Sequence, residues 1–333
     1  MAGNEKQKLK LLYLLKIFRE KTDDDHVMSA ADFCEELLKY GITAERKSIY
    51  KDIEVLKEFG LDIIYTDSPK KGYFLGQREF EEPEIRLLCD AVQAAAFIPN
   101  NKKQELLSKI GSLTSDHQFG SIKKQVYIEN RSKCENNQVF YNIDLIGKAI
   151  EQNKKIKLIY TRRVVSDSKE NEYAEREFVV SPYAMIWNDD CYYLVGNYEK
   201  YDNLMHMRID RMKKVDITDQ PARHFSEVSE YKIAFDSADY ASKHFNMFSG
   251  PTESVSLLCD NELVEAVTDR FGQNTTIIKS GENRFTARFD AAVTPGLVNW
   301  IVKFGGKIKV VSPAVLTEMV KERAQQILEV YNA

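Results

Sequence analysis

Apolar residues recur at helical spacing three times within the first sixty positions. Over 6–21 the spacing predicts a helix with Leu11, Leu15 and Phe18 along one side. Ser29-Ala-Ala-Asp32 is a capping-type start for a second helix, which carries Phe33, Leu37 and Leu38 and ends at Gly41. A third helix is expected to take Thr43 as its N-cap and Glu45 in its first turn, with Gly60 just past its end. Within it Ile49, Ile53 and Leu56 fall at i, i+4 and i+7, with Phe59 three further on, while Arg46, Lys47, Tyr50 and Lys51 share the opposite side. The period then drops to two. Residues 62–66 and 71–75 are short β-prone runs joined across Asp67-Ser-Pro-Lys70, which puts Lys70 and Lys71 near a hairpin tip.

Pro83 opens another helical stretch in which Ile85, Leu88, Val92 and Ala95 keep helical spacing as far as Pro99. A further helix is expected over 102–113, so the two form a connecting helical arm, and 114–141 reads as a linker with some strand content. From 142 the pattern changes again. A short amphipathic helix over 144–153 leads into a strand over 155–162, a charged loop, and strands at 176–185, 191–198 and 204–217. Successive short strands of this kind suggest a small barrel or sandwich, of which an SH3-like barrel is the economical form. Beyond 251 the order of elements is βαββαβα, which fits a ferredoxin-like sandwich.

Composition limits what these elements can do. With 43% hydrophobic and 29% charged residues the chain is ordinary globular protein, and 333 residues suggest three domains. A net charge of −4 excludes indiscriminate coating of nucleic acid, so any contact with DNA must be local. The five cysteines are far apart and form no CxxC pair, which favours reduced thiols in a cytoplasmic protein. No apolar run approaches membrane-spanning length, and the N-terminus lacks a signal-peptide core. Enzyme motifs fail on inspection. Gly305-Gly-Lys307 lacks the spacing and the hydroxyl of a P-loop, the five histidines show no ligand spacing with the cysteines, and the acidic clusters 23–25 and 189–190 fall in predicted turns where solvation is the expected state. Neither catalytic chemistry, nor a metal, nor a cofactor is expected.

The front segment resembles the winged helix-turn-helix domain of many bacterial transcriptional regulators, with 47–56 in the place of the recognition helix that enters the major groove. The DNA-contacting set expected on this reading is Thr43, Arg46, Lys47, Ser48, Tyr50 and Lys51, with Lys70 and Lys71 of the wing on the phosphate backbone. Ser181-Pro-Tyr183, Tyr192-Tyr-Leu-Val-Gly196 and Met207-Arg-Ile-Asp-Arg-Met212 resemble the defining segments of the WYL domain, an SH3/Sm-like barrel that follows such winged helices. Tyr192 stands where that family has tryptophan, so an aromatic surface is kept and the indole N–H is lost. The resemblance implies a sensor for nucleic acid or a nucleotide-like ligand, held by Tyr183, Tyr193, His206, Arg208 and Arg211, with Asp210 orienting the arginines. Strand alternation independently places His206, Arg208 and Asp210 opposite Met205, Met207 and Ile209. The competing reading has Arg208 and Arg211 merely paired with Asp210 and Asp216, and Tyr192 and Tyr193 filling a core. The final segment, particularly 304–313, resembles the C-terminal extension that commonly follows WYL domains.

Together these readings describe an α+β multidomain chain: a winged helix-turn-helix at 1–78, a helical arm at 79–141, a ligand-sensing barrel at 142–222, a connector at 223–250 and an extension at 251–333. The expected function is sequence-specific regulation of transcription by a homodimer, with double-stranded DNA and a nucleotide or single-stranded nucleic-acid effector as partners. A nucleotide- or nucleic-acid-processing enzyme or accessory subunit that docks through the winged helix, and a constitutive oligomeric DNA-binding scaffold, are the alternatives.

Overall fold

The computed structural model describes residues 2–125, 134, 136–164, 172–188, 190–244, 247–272 and 275–332, and the chain divides into two compact units, 1–135 and 136–333. Residues 165–171 of the charged loop expected between 162 and 176, residues 126–133 and 135 of the linker expected over 114–141, and Asp189 lie outside the described residues.

In the first unit α1 (Ala2–Lys21), α2 (Ala30–Lys39) and α3 (Arg46–Glu58) enclose one apolar core. Leu14, Ile17 and Phe18 of α1, Phe33 and Leu37 of α2, and Ile49, Ile53 and Leu56 of α3 are buried there. The stripe of α1 is therefore one position away from the expected one: Leu11 and Leu15 flank it half-buried, because several elements pack around the helix and it needs a wider face than two turns of strict spacing indicate. Leu38 is exposed, as is Phe59 at 78%, because the chain leaves the helix at Phe59 and Gly60 takes a positive φ of 105° to turn away. The capping box of α2 forms as expected, with Ser29 accepting from the Asp32 N–H and Asp32 accepting from the Ser29 N–H. Thr43 does not cap α3. The helix begins at Arg46 behind Glu45, whose side chain makes no capping hydrogen bond.

Strands β1 (Ile63–Thr66) and β2 (Gly72–Leu75) pair antiparallel, with Tyr65 opposite Tyr73. The hairpin gains a third edge, since Met28 and Tyr73 exchange backbone hydrogen bonds of 3.0 and 2.8 Å. Gly72 permits this approach: a Cβ there would lie 2.8 Å from the Met28 backbone. Helices α4 (Glu82–Ala94), α5 (Asn100–Gly111) and α6 (Asp116–Gln125) follow. The last replaces part of the expected linker; Ile122 and Phe119 of α6 pack with Ile85 and Cys89 of α4, a contact between distant segments that local composition does not announce. Asp23, expected in a solvated turn, is buried at 2% exposure, where its carboxylate accepts from the His26 N–H, the His26 ring and the Ser115 hydroxyl.

The second unit begins with α7 (Val139–Glu151), followed by β3 (Lys154–Val164), β4 (Glu172–Asn188), β5 (Cys191–Tyr198), β6 (Met205–Arg208) and β7 (Met212–Pro221). All neighbouring strands are antiparallel, in the order β6-β5-β4-β3-β7. The single strand expected over 204–217 is broken by the 3₁₀ turn Ile209–Arg211, which links the two edge strands. Five flat strands would set those edges about 19 Å apart, at about 4.8 Å per spacing, whereas three residues reach about 10 Å. The sheet must therefore curl until its edges approach. Its concave face holds Leu158, Val180, Leu194, Met207, Ile209 and Met212, with Ile146 and Ala149 of α7 closing one end.

After α8 (Ser237–Lys243) comes a second sheet with β8 (Thr252–Asp260), α9 (Val264–Phe271), β9 (Thr276–Lys279), β10 (Arg284–Ala292), α10 (Pro295–Val302), β11 (Ile308–Ser312) and α11 (Ala314–Asn332). This is the βαββαβα order read from the sequence, with the strands antiparallel in the order β11-β8-β10-β9. The helices cover one face through Val267, Leu297, Val298, Ile301 and Leu316.

Candidate functional site

The expected DNA surface is built on α3. Burial of Ile49, Ile53 and Leu56 fixes the rotation of the helix, so Arg46, Lys47, Tyr50 and Lys51 must face outward, and all four are exposed. Among the described residues no carboxylate lies within salt-bridge distance of Arg46, Lys47 or Lys51, whereas Lys57 on the same helix pairs with Glu54 at 3.0 Å. Unpaired cations keep their full field for an incoming anion. Thr43 is exposed just ahead of the helix. Ser48 is not available in the same way: its hydroxyl meets the buried Lys10 ammonium, which also pairs with Asp52 at 2.7 Å and so ties α1 to α3.

Tyr50 joins the helix to the hairpin. Its ring lies 6.2 Å from that of Tyr73, which is 5.0 Å from Tyr65, so an aromatic shelf runs from α3 across β2 to β1. The hairpin lysines are exposed, yet each has a partner: Lys70 reaches Asp32 at 3.2 Å and Lys71 reaches Asp67 at 3.5 Å. Pairs this exposed are worth about 0–1 kcal/mol and yield readily to a phosphate.

The expected ligand set falls on the convex face of the second unit's first sheet, around the end of β6. Arg208 sits opposite Tyr193 in register. Its guanidinium donates from Nε and Nη2 to the two carboxylate oxygens of Asp210, at 3.0 and 2.7 Å, and this hydrogen bonding holds the arginine firmly protonated. Asp210 thus orients Arg208, and also occupies the fork that a phosphate would use. Arg211 is exposed on the 3₁₀ turn, with no carboxylate in salt-bridge range among the described residues, Asp216 included.

The turn carrying these arginines is held from behind by residues that sequence reasoning did not single out. Asn136 donates to the carbonyls of Asp210 and Met212 at 3.1 and 2.7 Å, Asn142 donates to Met212 at 3.0 Å, and Thr161 donates to Arg211 at 3.0 Å. Only their spatial convergence marks them. A buried asparagine on the apolar side of a helix, as at Asn142, was the one available signal.

Tyr183, Tyr193 and His206 share the convex face as expected, but the described residues of 223–250 pack over them and are more than a connector. Ile186, Val195, Leu204, Val228, Tyr240 and Met247 form a second core there, with Tyr183, Tyr193, Tyr231 and Phe235 against it. The Tyr183 ring packs against both Phe225 and Phe235, each centroid 6.2 Å away, and its hydroxyl donates to the Arg223 carbonyl at 2.8 Å; burial pushes its pKa up to about 12. His206 is joined on both sides. Ser249 donates to the Leu204 carbonyl at 2.8 Å, so its oxygen accepts from His206 Nδ1 at 3.2 Å, and Nε2 accepts from the Tyr240 hydroxyl at 2.8 Å. The ring is therefore neutral with its proton on Nδ1; burial and the neighbouring His244 bring its pKa down to about 4. The structure thus divides the expected site, leaving Arg208 partly open and Arg211 open, while the aromatic and histidine members are engaged in packing. A cavity of about 360 Å³ remains beside the cover, lined by Asn203, Leu204, Tyr231, Tyr240, His244 and Ser249 among others.

Residues 141–217 match the WYL domain and residues 251–328 the WCX domain. Among solved structures the chain is similar to proteasome accessory factor B/C (PafBC) of Arthrobacter aurescens, at 15% identity and a TM-score of 0.28 over 97% of this chain and 49% of that one; this chain spans about half the length of that protein. It is also similar to a CRISPR Cas-related protein, at 16% identity and a TM-score of 0.38 over 77% of this chain and 75% of the other. No curated protein matches the chain.

Proposed function

We propose that this WYL-domain protein is a transcriptional regulator that binds double-stranded DNA through a winged helix-turn-helix at 1–78. The observation that carries the reading is the outward face of α3, where Arg46, Lys47 and Lys51 stand, among the described residues, without carboxylate partners beside Tyr50 and a hairpin whose tip bears Lys70 and Lys71. A basic helix face next to a basic hairpin suits a major groove and its flanking phosphates. In this reading the curled sheet is an SH3/Sm-like barrel that senses a nucleotide or single-stranded effector through Arg208 and Arg211, and the 251–333 segment is a ferredoxin-like extension. The regulator acts as a cytoplasmic homodimer without catalytic activity or cofactor, since one winged helix offers few base contacts and two half-sites multiply them. Among the described residues no helix is long and apolar enough to cross a membrane.

The test is selection of bound sequences from random duplex DNA, followed by calorimetric titration of nucleotides and oligonucleotides against the wild type and Arg208→Ala. Enrichment of a two-fold symmetric motif supports the regulator, and no enrichment over input DNA refutes it. A constitutive regulator is the second reading, favoured by the covering of Tyr183, Tyr193 and His206. It predicts that DNA affinity ignores every such ligand.

A further inference from the structure

The cavity of about 360 Å³ beside the cover of the convex face has an acidic and aromatic wall. Asp202 and Glu230 supply two carboxylates, Tyr231 and Tyr240 supply rings 6.2 Å apart, and among the described residues no lysine or arginine lines it. The neighbouring bases are already engaged. Arg223 pairs with Asp202 and Glu227 at 2.8 and 3.0 Å, and Lys243 with Asp239 and Glu230 at 2.6 and 3.4 Å. Lys232 donates to the carbonyls of Ser226 and Ser229 at 2.6 and 3.1 Å, and Arg270 to that of His244 at 3.3 Å. Arg223 and Lys243 thus divide themselves among four acids, and Glu230, at the longest of these pair distances, keeps much of its charge.

The telling atom is Nε2 of His244. This residue is 3% exposed, and its Nδ1 lies 2.8 Å from the Tyr240 carbonyl, so Nδ1 carries the proton and Nε2 offers a lone pair. Burial lowers the pKa of the ring and keeps it neutral. Among the described residues no group donates to Nε2, although the side chain forms part of the cavity wall. A buried acceptor without a donor is costly, and it marks where a donor is to arrive. Glu230 lies close enough to act on the charge of His244, Tyr231 and Tyr240 alike, so carboxylate, lone pair and rings converge.

We propose that this cavity binds a small alkylamine of the diamine or polyamine class, whose ammonium donates to His244 Nε2 and to the Glu230 carboxylate. An ammonium brings three N–H donors and a positive charge, which suit the lone pair, the carboxylate and the faces of Tyr231 and Tyr240. Leu204 and Val228 offer apolar surface to its methylenes. A phosphate would meet carboxylates and a lone pair with no base on the wall to receive it. Arg208 and Arg211 do not line the cavity, whereas Tyr240 and Ser249 line it and also hold His206, so the amine site adjoins the Arg208 surface without sharing its cations.

The experiment is calorimetric titration of the full chain at constant salt with 1,4-diaminobutane, beside 1,4-butanediol and the hexamethyl bis-quaternary analogue of the diamine. A saturable isotherm is expected for the diamine. The diol lacks the charge and the quaternary compound lacks N–H donors, so each should bind about tenfold more weakly or not at all. Glu230→Gln should weaken the diamine about tenfold without changing the melting temperature, since that side chain is half exposed. His244→Phe, which keeps the stacking on Tyr240, should bring the diamine down to the affinity of the quaternary analogue and leave the analogue itself unaffected. Arg208→Ala, and Lys47→Ala with Lys51→Ala, should leave amine binding intact, so failure of the effector or DNA reading does not touch this one. A wild type without saturable diamine binding, equal affinity for the three compounds, or a Glu230→Gln variant that binds as the wild type does overturns the proposal. The three compounds on the wild type decide it even where His244→Phe does not fold.

Discussion

The outward face of α3 and the convex face of β5 and β6 carry the same kind of sequence signal, a polar stripe opposite an apolar one, yet they meet different fates. On α3 the stripe stays open, with Arg46, Lys47, Tyr50 and Lys51 in solvent. On the convex face, Val228, Tyr231, Phe235, Tyr240 and Met247 lay a second apolar core over Tyr183, Tyr193 and His206. Alternation tells which side chains share a face, but it does not tell what comes to lie upon that face. A cover contributed by a later segment is a long-range event, and its own pattern, short and rich in Tyr and Phe, resembles neither a regular helix nor a strand.

The comparison breaks most sharply on α3. Lys47→Ala with Lys51→Ala should cost duplex binding roughly 1 to 3 kcal/mol per contact while leaving the melting temperature unchanged, since both side chains are exposed. Electrophoretic shift at fixed salt measures it, and undiminished affinity would move the DNA surface elsewhere. Next in size is Gly72→Ala. The new methyl must displace the Met28 backbone, so a loss of about 1 to 3 kcal/mol is expected in denaturant unfolding, and a neutral result would show the Met28–Tyr73 bridge to be dispensable.

On the covered face, Tyr240→Phe removes the donor to His206 Nε2 and should cost about 1 kcal/mol. The same network sets a pH dependence. The pKa values of His206 and His244 are lowered in the fold by burial, so the unfolded chain binds more protons below about 6.5, the ordinary value for histidine. Stability is fully present above that pH and falls as pH drops towards 4. His206→Gln should reduce the slope of stability against pH in that window, and an unaltered slope would mean that the ring is not enclosed as described. The smallest effect belongs to the wing. Lys70→Ala with Lys71→Ala should lower affinity for all duplexes alike and make the salt slope shallower by up to about 2, because each lysine first releases a surface partner. A loss confined to one sequence would make the wing a reader of bases.

Much of the fold was legible in the chain because its signals are local. The capping box at Ser29 and Asp32, the Ile49–Ile53–Leu56 stripe and the period-two runs of the hairpin each specify themselves within a few residues. What escaped depends on distant partners: α6, whose Ile122 finds Ile85 and Cys89 far upstream; Ser48, drawn to Lys10; and the asparagines behind the Arg208–Arg211 turn. Thr43 illustrates a different limit. A good capping residue is not used where the chain enters the helix two positions later.

The bridge between Met28 and Tyr73 gives the first unit a property that its separate elements lack. The hairpin is sewn along β2 to the segment that starts α2, while Thr22, at the end of α1, accepts from the Leu75 N–H at 3.1 Å. Both stitches fall on the same strand, and the Tyr50–Tyr73 contact ties that strand to α3. The hairpin and the basic helix therefore behave as the two jaws of a caliper set to one opening. An object gripped between them has its width measured, and any adjustment of fit must be made by the object.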